Sequence, residues 1–148
     1  MKIVKRVDEK NIEQAMEFLQ KVMPTPAIKD SVKNGVLLLD DEHKMEGEII
    51  GNISYETFGS HALVRYFIVK KIVNKDIVSS LFKELVKRVQ EQNLKALIAL
   101  VIDPDAFQLF SELGFYHSPD HKVLFEGYKL KNKDFSQVKF MVYDVEAV

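Results

Sequence analysis

Residues 63–71 read LVRYFIVKK, residues 76–92 DIVSSLFKELVKRVQEQ, residues 95–102 KALIALVI and residues 103–115 DPDAFQLFSELGF. The second of these decides the fold. Ile77, Val78, Leu81, Phe82, Leu85, Val86 and Val89 recur at helical spacing and form one apolar face, while Ser79, Ser80, Lys83, Glu84, Lys87, Arg88 and Glu91 fall on the other. The runs on either side are apolar and short, as buried strands are. A helix between two such strands is a βαβ unit, whose crossover makes the strands parallel. The start of that helix presents unpaired backbone N–H groups and suits an anion such as a phosphate.

Local signals extend the pattern in both directions. Asp103-Pro104 reads as cap and first residue of a last helix, and Gly114 as its stop. Asn74 or Asp76 can cap the long helix, and Asn93 ends it. Upstream, Lys2 to Val7 is a strand. Asp8 caps a helix with the stripe Ile12, Ala15, Met16, Leu19, Val22 and Met23, which Pro24 ends. Ala27 to Lys33 is a short second helix stopped at Gly35. Val36 to Leu39, Glu48 to Glu56 and the strand from Leu63 form an antiparallel meander. DDEHKMEG is a polar turn, Gly51 marks a bulge, and the Gly59 segment makes a hairpin. Downstream, Lys122 to Leu130 alternates as a strand. Gln137 to Tyr143 is a C-terminal strand that can pair with its own sheet or with a second copy in a homodimer.

Composition narrows the class. The 148 residues suit a single domain, and 47% hydrophobic with 29% charged residues is ordinary for a globular protein. A formal net charge of -1 gives no bulk attraction to nucleic acid or membrane. The absence of cysteine removes disulfides and thiol chemistry. No signal-like or membrane-spanning apolar run is present, so the cytoplasm is the expected compartment. The histidines His43, His61, His117 and His121 lack ligand spacing, because Pro119 interrupts the only close pair, and no metal site is expected.

This order of elements, with the ending LFSELGF at 109–115, resembles the GCN5-related N-acetyltransferase (GNAT) superfamily over nearly the whole chain. The resemblance implies an α/β (α+β) mixed sheet with helices on both faces, and acetyl-coenzyme A as co-substrate with an amine of a small molecule or peptide as acceptor. It implies that Phe67, Ile68 and Val69 pair with the pantetheine, and that Lys75, Asp76, Ile77 and Val78 stand at the pyrophosphate. The family's phosphate loop carries Arg or Gln, then Gly, then Gly or Ala, at positions held here by Val73, Asp76 and Val78. A helix tyrosine that protonates the leaving thiolate is replaced by Phe110. Lys70, Lys71 and Lys75 can offset the Asp76 charge. Glu56 or His61 can accept the amine proton, with Arg65 and Tyr66 on the same strands, and Tyr116 can stand in for the missing tyrosine. The alternative is an inactive binding or assembly module on the same scaffold.

Overall fold

The structure is a computed structural model that describes residues 2–23, 25–40, 47–70, 73–122 and 138–145. The chain runs β1 (Lys2–Arg6), α1 (Ile12–Val22), α2 (Lys29–Val32), β2 (Val36–Asp40), β3 (Glu48–Phe58), β4 (His61–Val69), α3 (Lys75–Glu91), β5 (Ala96–Val101), α4 (Pro104–Leu113), β6 (Tyr116–His117), a 3₁₀ turn (Pro119–Lys122) and β7 (Lys139–Asp144). The strands form one seven-stranded sheet in the order β1-β2-β3-β4-β5-β7-β6. All neighbours are antiparallel except β4 and β5, which are parallel. The expected meander and βαβ unit are therefore both present. The terminal strand pairs within its own sheet, against β5. Of the expected strand from Lys122 to Leu130, Lys122 ends the 3₁₀ turn and the rest lies outside the described residues, as does most of the turn DDEHKMEG.

The caps explain the helix boundaries. The turn ahead of α1 is closed reciprocally by Asp8 and Asn11: the Asp8 N–H donates to Asn11 Oδ1 at 2.8 Å, and the Asn11 N–H to Asp8 Oδ1 at 3.0 Å. The N-cap position itself is Asn11, which makes no side-chain cap bond to the helix. Of the two residues able to cap α3, Asn74 does so, its Oδ1 accepting from the Ile77 N–H at 2.9 Å. Asp76 instead sits in the first turn. Asp103 Oδ1 accepts from the Asp105 N–H, and Gly114 closes α4 at φ 108°, which a glycine adopts without strain.

The sheet buries both faces. Against α3 and α4 pack Val36, Leu38, Ile53, Tyr55, Ala62, Leu97 and Met141 with Leu81, Phe82, Leu85 and Phe110. On the opposite face, Leu37 packs with Ala15, Phe18 and Leu19 of α1, joined by Tyr66 and Ile68. Farther along that face Leu63, Ile98, Phe140 and Val142 form a separate cluster.

Two bulges break the ladders. In β3 the register steps from Leu38↔Gly51 to Leu39↔Ile49, so Ile50 is the extra residue, next to the Gly51 anticipated there. A Cβ at Gly51 would lie 3.1 Å from the Leu38 Cβ, so glycine fits the close approach beside the bulge. In β4 the register steps from Ser54↔Tyr66 to Tyr55↔Val64, so Arg65 is extra. The second bulge inverts side-chain parity. Ala62 and Val64 face α3 and α4, and beyond Arg65 it is Phe67 that does so.

Candidate functional site

β4 and β5 pair over only three positions, His61↔Ala96, Ala62↔Leu97 and Leu63↔Ile98. β4 continues to Val69 and β5 to Val101, but among the described residues they no longer pair. The strands thus separate into a wedge that starts at the Arg65 bulge and widens toward α3. Along it, among the described residues, the side of β4 turned toward β5 pairs with no strand from Val64 to Val69. Backbone groups so placed are strong hydrogen-bonding sites for an extended ligand. Phe67, Ile68 and Val69 lie on this stretch. The opposite wall is apolar: Phe110 of α4 is buried and meets Phe67 edge-on, with ring centroids 5.6 Å apart. The hydroxyl that a tyrosine would offer at that place is absent.

Beyond the wedge, α3 and α4 enclose a groove of about 490 Å³ lined by Val73, Lys75, Asp76, Val78, Leu109 and Glu112, among others. Three of the four residues expected at a pyrophosphate therefore share this groove, and the fourth, Ile77, turns partly into the core. The groove adjoins the start of a 17-residue helix, whose dipole favours an anion. Its side chains are mixed in sign. Lys75 Nζ reaches across to Glu112 at 3.4 Å, and Asp76 adds a second carboxylate. Lys70 lies elsewhere, lining a cavity of about 370 Å³ beside α1 and standing 3.8 Å from Glu48. Lys71 is outside the described residues.

The candidate proton-transfer residues do not gather at one point. Glu56 pairs in register with Leu63, the last β4 residue laddered to β5, so it stands where the strands part. Its Oε2 lies 3.3 Å from Arg65 Nε. His61 begins β4 at the closed end, opposite Ala96, with Nδ1 3.2 Å from the Ser60 hydroxyl. Tyr116 lies on β6, beyond β7 and roughly 10 Å from β5 at ordinary strand spacing. Its hydroxyl donates to Asp144 Oδ2 at 3.0 Å, and partial burial followed by that bond raises its pKa above the usual phenol value. The structure thus brings Glu56 and Arg65 to the wedge and leaves Tyr116 at the far edge of the sheet.

Residues given no catalytic or cofactor role from the sequence also shape the site. The Tyr66 hydroxyl accepts from the Ile28 N–H at 2.8 Å, tying the approach to α2 onto β4 beside the bulge. Leu109, Glu112 and Leu113 form the α4 wall of the groove. Their helical spacing was the available signal.

Comparison with known proteins agrees with this geometry. No protein-family sequence model and no curated protein sequence matches the chain. Solved structures do match. A GNAT-family acetyltransferase from Staphylococcus aureus aligns with TM-score 0.69 at 17% identity, over 99% of this chain and 100% of that one. A GNAT-superfamily phosphinothricin acetyltransferase from Sinorhizobium meliloti, solved with acetyl-coenzyme A, aligns with TM-score 0.65 at 17% identity, over 97% and 88%. N-acetylglutamate synthase from Neisseria gonorrhoeae, solved with coenzyme A and N-acetyl-glutamate, aligns with TM-score 0.69 at 12% identity, over 99% of this chain and 35% of that one. The chain has the GNAT fold.

Proposed function

We infer that the protein is an acyltransferase that moves an acetyl group from acetyl-coenzyme A to an amine. The observation that carries this reading is the parting of β4 from β5 after Leu63, with a long-helix N-terminus at the wide end of the gap. The fit is good along the strand and uneven at the phosphates. The edge of β4 along the gap suits the amide-bearing arm of the cofactor, whereas Asp76 and Glu112 oppose its diphosphate. The neighbouring acetyltransferases solved with acetyl-coenzyme A or coenzyme A support the same assignment.

The cofactor supplies an activated thioester carbonyl. Backbone N–H groups of β4 between Val64 and Val69 orient it and stabilise negative charge on its oxygen. The acceptor nitrogen attacks only once it is unprotonated, and Glu56 takes its proton directly or through a water. His61, at the closed end, is the second candidate base. The nitrogen bonds to the carbonyl carbon as the carbon–sulfur bond breaks, and the departing thiolate takes its proton from solvent, since Phe110 has none to give. Tyr116 keeps a structural role at the sheet edge.

A second reading is favoured by the phenyl ring of Phe110 and the Lys75–Glu112 bridge: a scaffold of this fold that binds no cofactor. Thermal unfolding with and without acetyl-coenzyme A separates the two. Cofactor at a hundred times its dissociation constant adds roughly 2.7 kcal/mol to stability. An unchanged Tm at millimolar cofactor removes the acyltransferase reading.

A further inference from the structure

The chain has three arginines, Arg6, Arg65 and Arg88. Two donate hydrogen bonds within the protein. Arg6 donates to Glu84 and to Glu91, each at 2.6 Å. Arg88 Nη1 donates to the backbone carbonyls of Val7 and Gly35 at 3.0 and 2.9 Å. Arg65 differs. Its Nε is buried yet has no hydrogen-bond partner, and the 3.3 Å approach of Glu56 is a contact of charges without hydrogen-bond geometry. Among the described residues, no hydrogen bond to its guanidinium is formed. The side chain keeps 23% of its surface exposed and Glu56 keeps 39%, so both can be reached from outside.

Position gives this pair its meaning. Arg65 is the bulge residue, two positions past the last β4–β5 pair and so roughly 7 Å along the strand from the point of divergence. Glu56 pairs with Leu63, whose side chain joins the cluster on the face away from α3 and α4. The contact with Glu56 places the Arg65 side chain on that face too. A cation and an anion thus stand side by side at the apex of the wedge, across the sheet from the helices that form the groove. A guanidinium with unused planar donors recognises a carboxylate in a fork, and a neighbouring carboxylate recognises an ammonium. Together they match a ligand that carries both charges a short distance apart.

We propose that Arg65 is the specificity-determining residue for the acceptor, and that the acceptor is a small zwitterionic amino acid whose carboxylate Arg65 holds while its amine lies toward Glu56. This rests on the acyltransferase reading above and adds to it the substrate class. The ligand carboxylate supplies the acceptor oxygens that the Arg65 donors lack within the protein.

The test compares each common α-amino acid with its own carboxamide, which keeps the amine and removes only the negative charge. Two quantities are read on the full chain: the Tm shift caused by the ligand, and the rate of thiol release from acetyl-coenzyme A. At least one amino acid should raise Tm and be acetylated, with kcat/KM higher than that of its carboxamide by roughly a hundredfold. Arg65→Met should erase that preference, and Arg65→Lys should restore part of it. Carboxamides that bind and react as well as the acids would overturn the proposal. So would the absence of any amino-acid-induced Tm shift, or an Arg65→Met protein that keeps the preference. The acid-to-amide comparison is made on the wild-type chain and stands even if a variant fails to fold. An amino-acid shift that Arg65→Met abolishes, with no thiol release, would uphold this anion site and reject acyl transfer. Acetylation confined to uncharged amines would do the reverse.

Discussion

The two ends of α3 are built on opposite principles. At its C-terminal half the helix is stitched to the sheet by polar contacts that are nearly all paired. Glu84 and Glu91 grip Arg6 at the end of β1, Arg88 caps two backbone carbonyls, and Gln92 Nε2 reaches Asn34 Oδ1 at 3.4 Å. At its N-terminal end the helix faces a groove, crossed among the described residues by the exposed Lys75–Glu112 bridge. The difference teaches how a helix start can be left open to a ligand: the closed end and the buried stripe Leu81, Leu85 and Val89 fix the helix, so its first turn need not pack.

The sharpest way to break this comparison is to attack both ends alike. Arg88→Met removes two charge-assisted hydrogen bonds and leaves the Val7 carbonyl short of a donor, while the Gly35 carbonyl keeps the Val7 N–H. It should cost about 3 kcal/mol in urea unfolding. Lys75→Met at the open end should cost under about 0.5 kcal/mol, because exposed ion pairs contribute little. Equal costs would show that the ends are not differently built.

The next effect is a pH dependence located at the closed end. Tyr55 is fully buried beneath α3 with its hydroxyl unpartnered, and burial pushes its pKa from 10.0 up to about 12. The unfolded chain releases this proton first. Its contribution is therefore intact below pH 10 and lost as pH rises toward 12, at about 1.4 kcal/mol per pH unit. Tyr55→Phe should flatten that decline relative to wild type and be neutral or stabilising by up to ~1 kcal/mol at pH 7, since it removes a buried hydroxyl with no partner. Parallel stability curves for the two proteins above pH 10 would contradict this account.

The smallest effect belongs to the open end. Glu112→Gln and Asp76→Asn each remove a negative charge from the groove that borders the α3 start. Each should tighten coenzyme A binding about threefold, less at high salt, as calorimetry can read. Weaker binding in either folded variant would place the diphosphate elsewhere.

Most elements were legible because they rest on local chemistry. The apolar stripe of α3, the Asp103-Pro104 start and Gly114 stop of α4, and the alternation of the meander each carry a signal within a few residues. The site was only partly legible, because it depends on where pairing stops. Nothing in LVRYFIVKK announces that β4 leaves β5 after Leu63, since backbone pairing has no side-chain signature there. The Arg65 bulge was equally silent, as no glycine marks it. Choosing between Asn74 and Asp76 as the cap needed coordinates, because both side chains can accept the same N–H groups. Tyr116 was a reasonable stand-in by sequence distance from α4, but the chain carries it outward to β6, where Asp144 takes its hydroxyl.

The single inserted residue in β4 has a consequence for tinkering with this chain. Val64 and Tyr66 already face opposite sides of the sheet, as adjacent residues of an uninterrupted strand do, so removing Arg65 alone would erase the bulge and leave every later side chain on its present face. The Phe67 ring would stay against Phe110 and Tyr66 against Ile28, and the loss would fall on the guanidinium beside Glu56. A lone deletion of Tyr66 or Phe67 would instead turn the residues after it to the wrong side of the sheet.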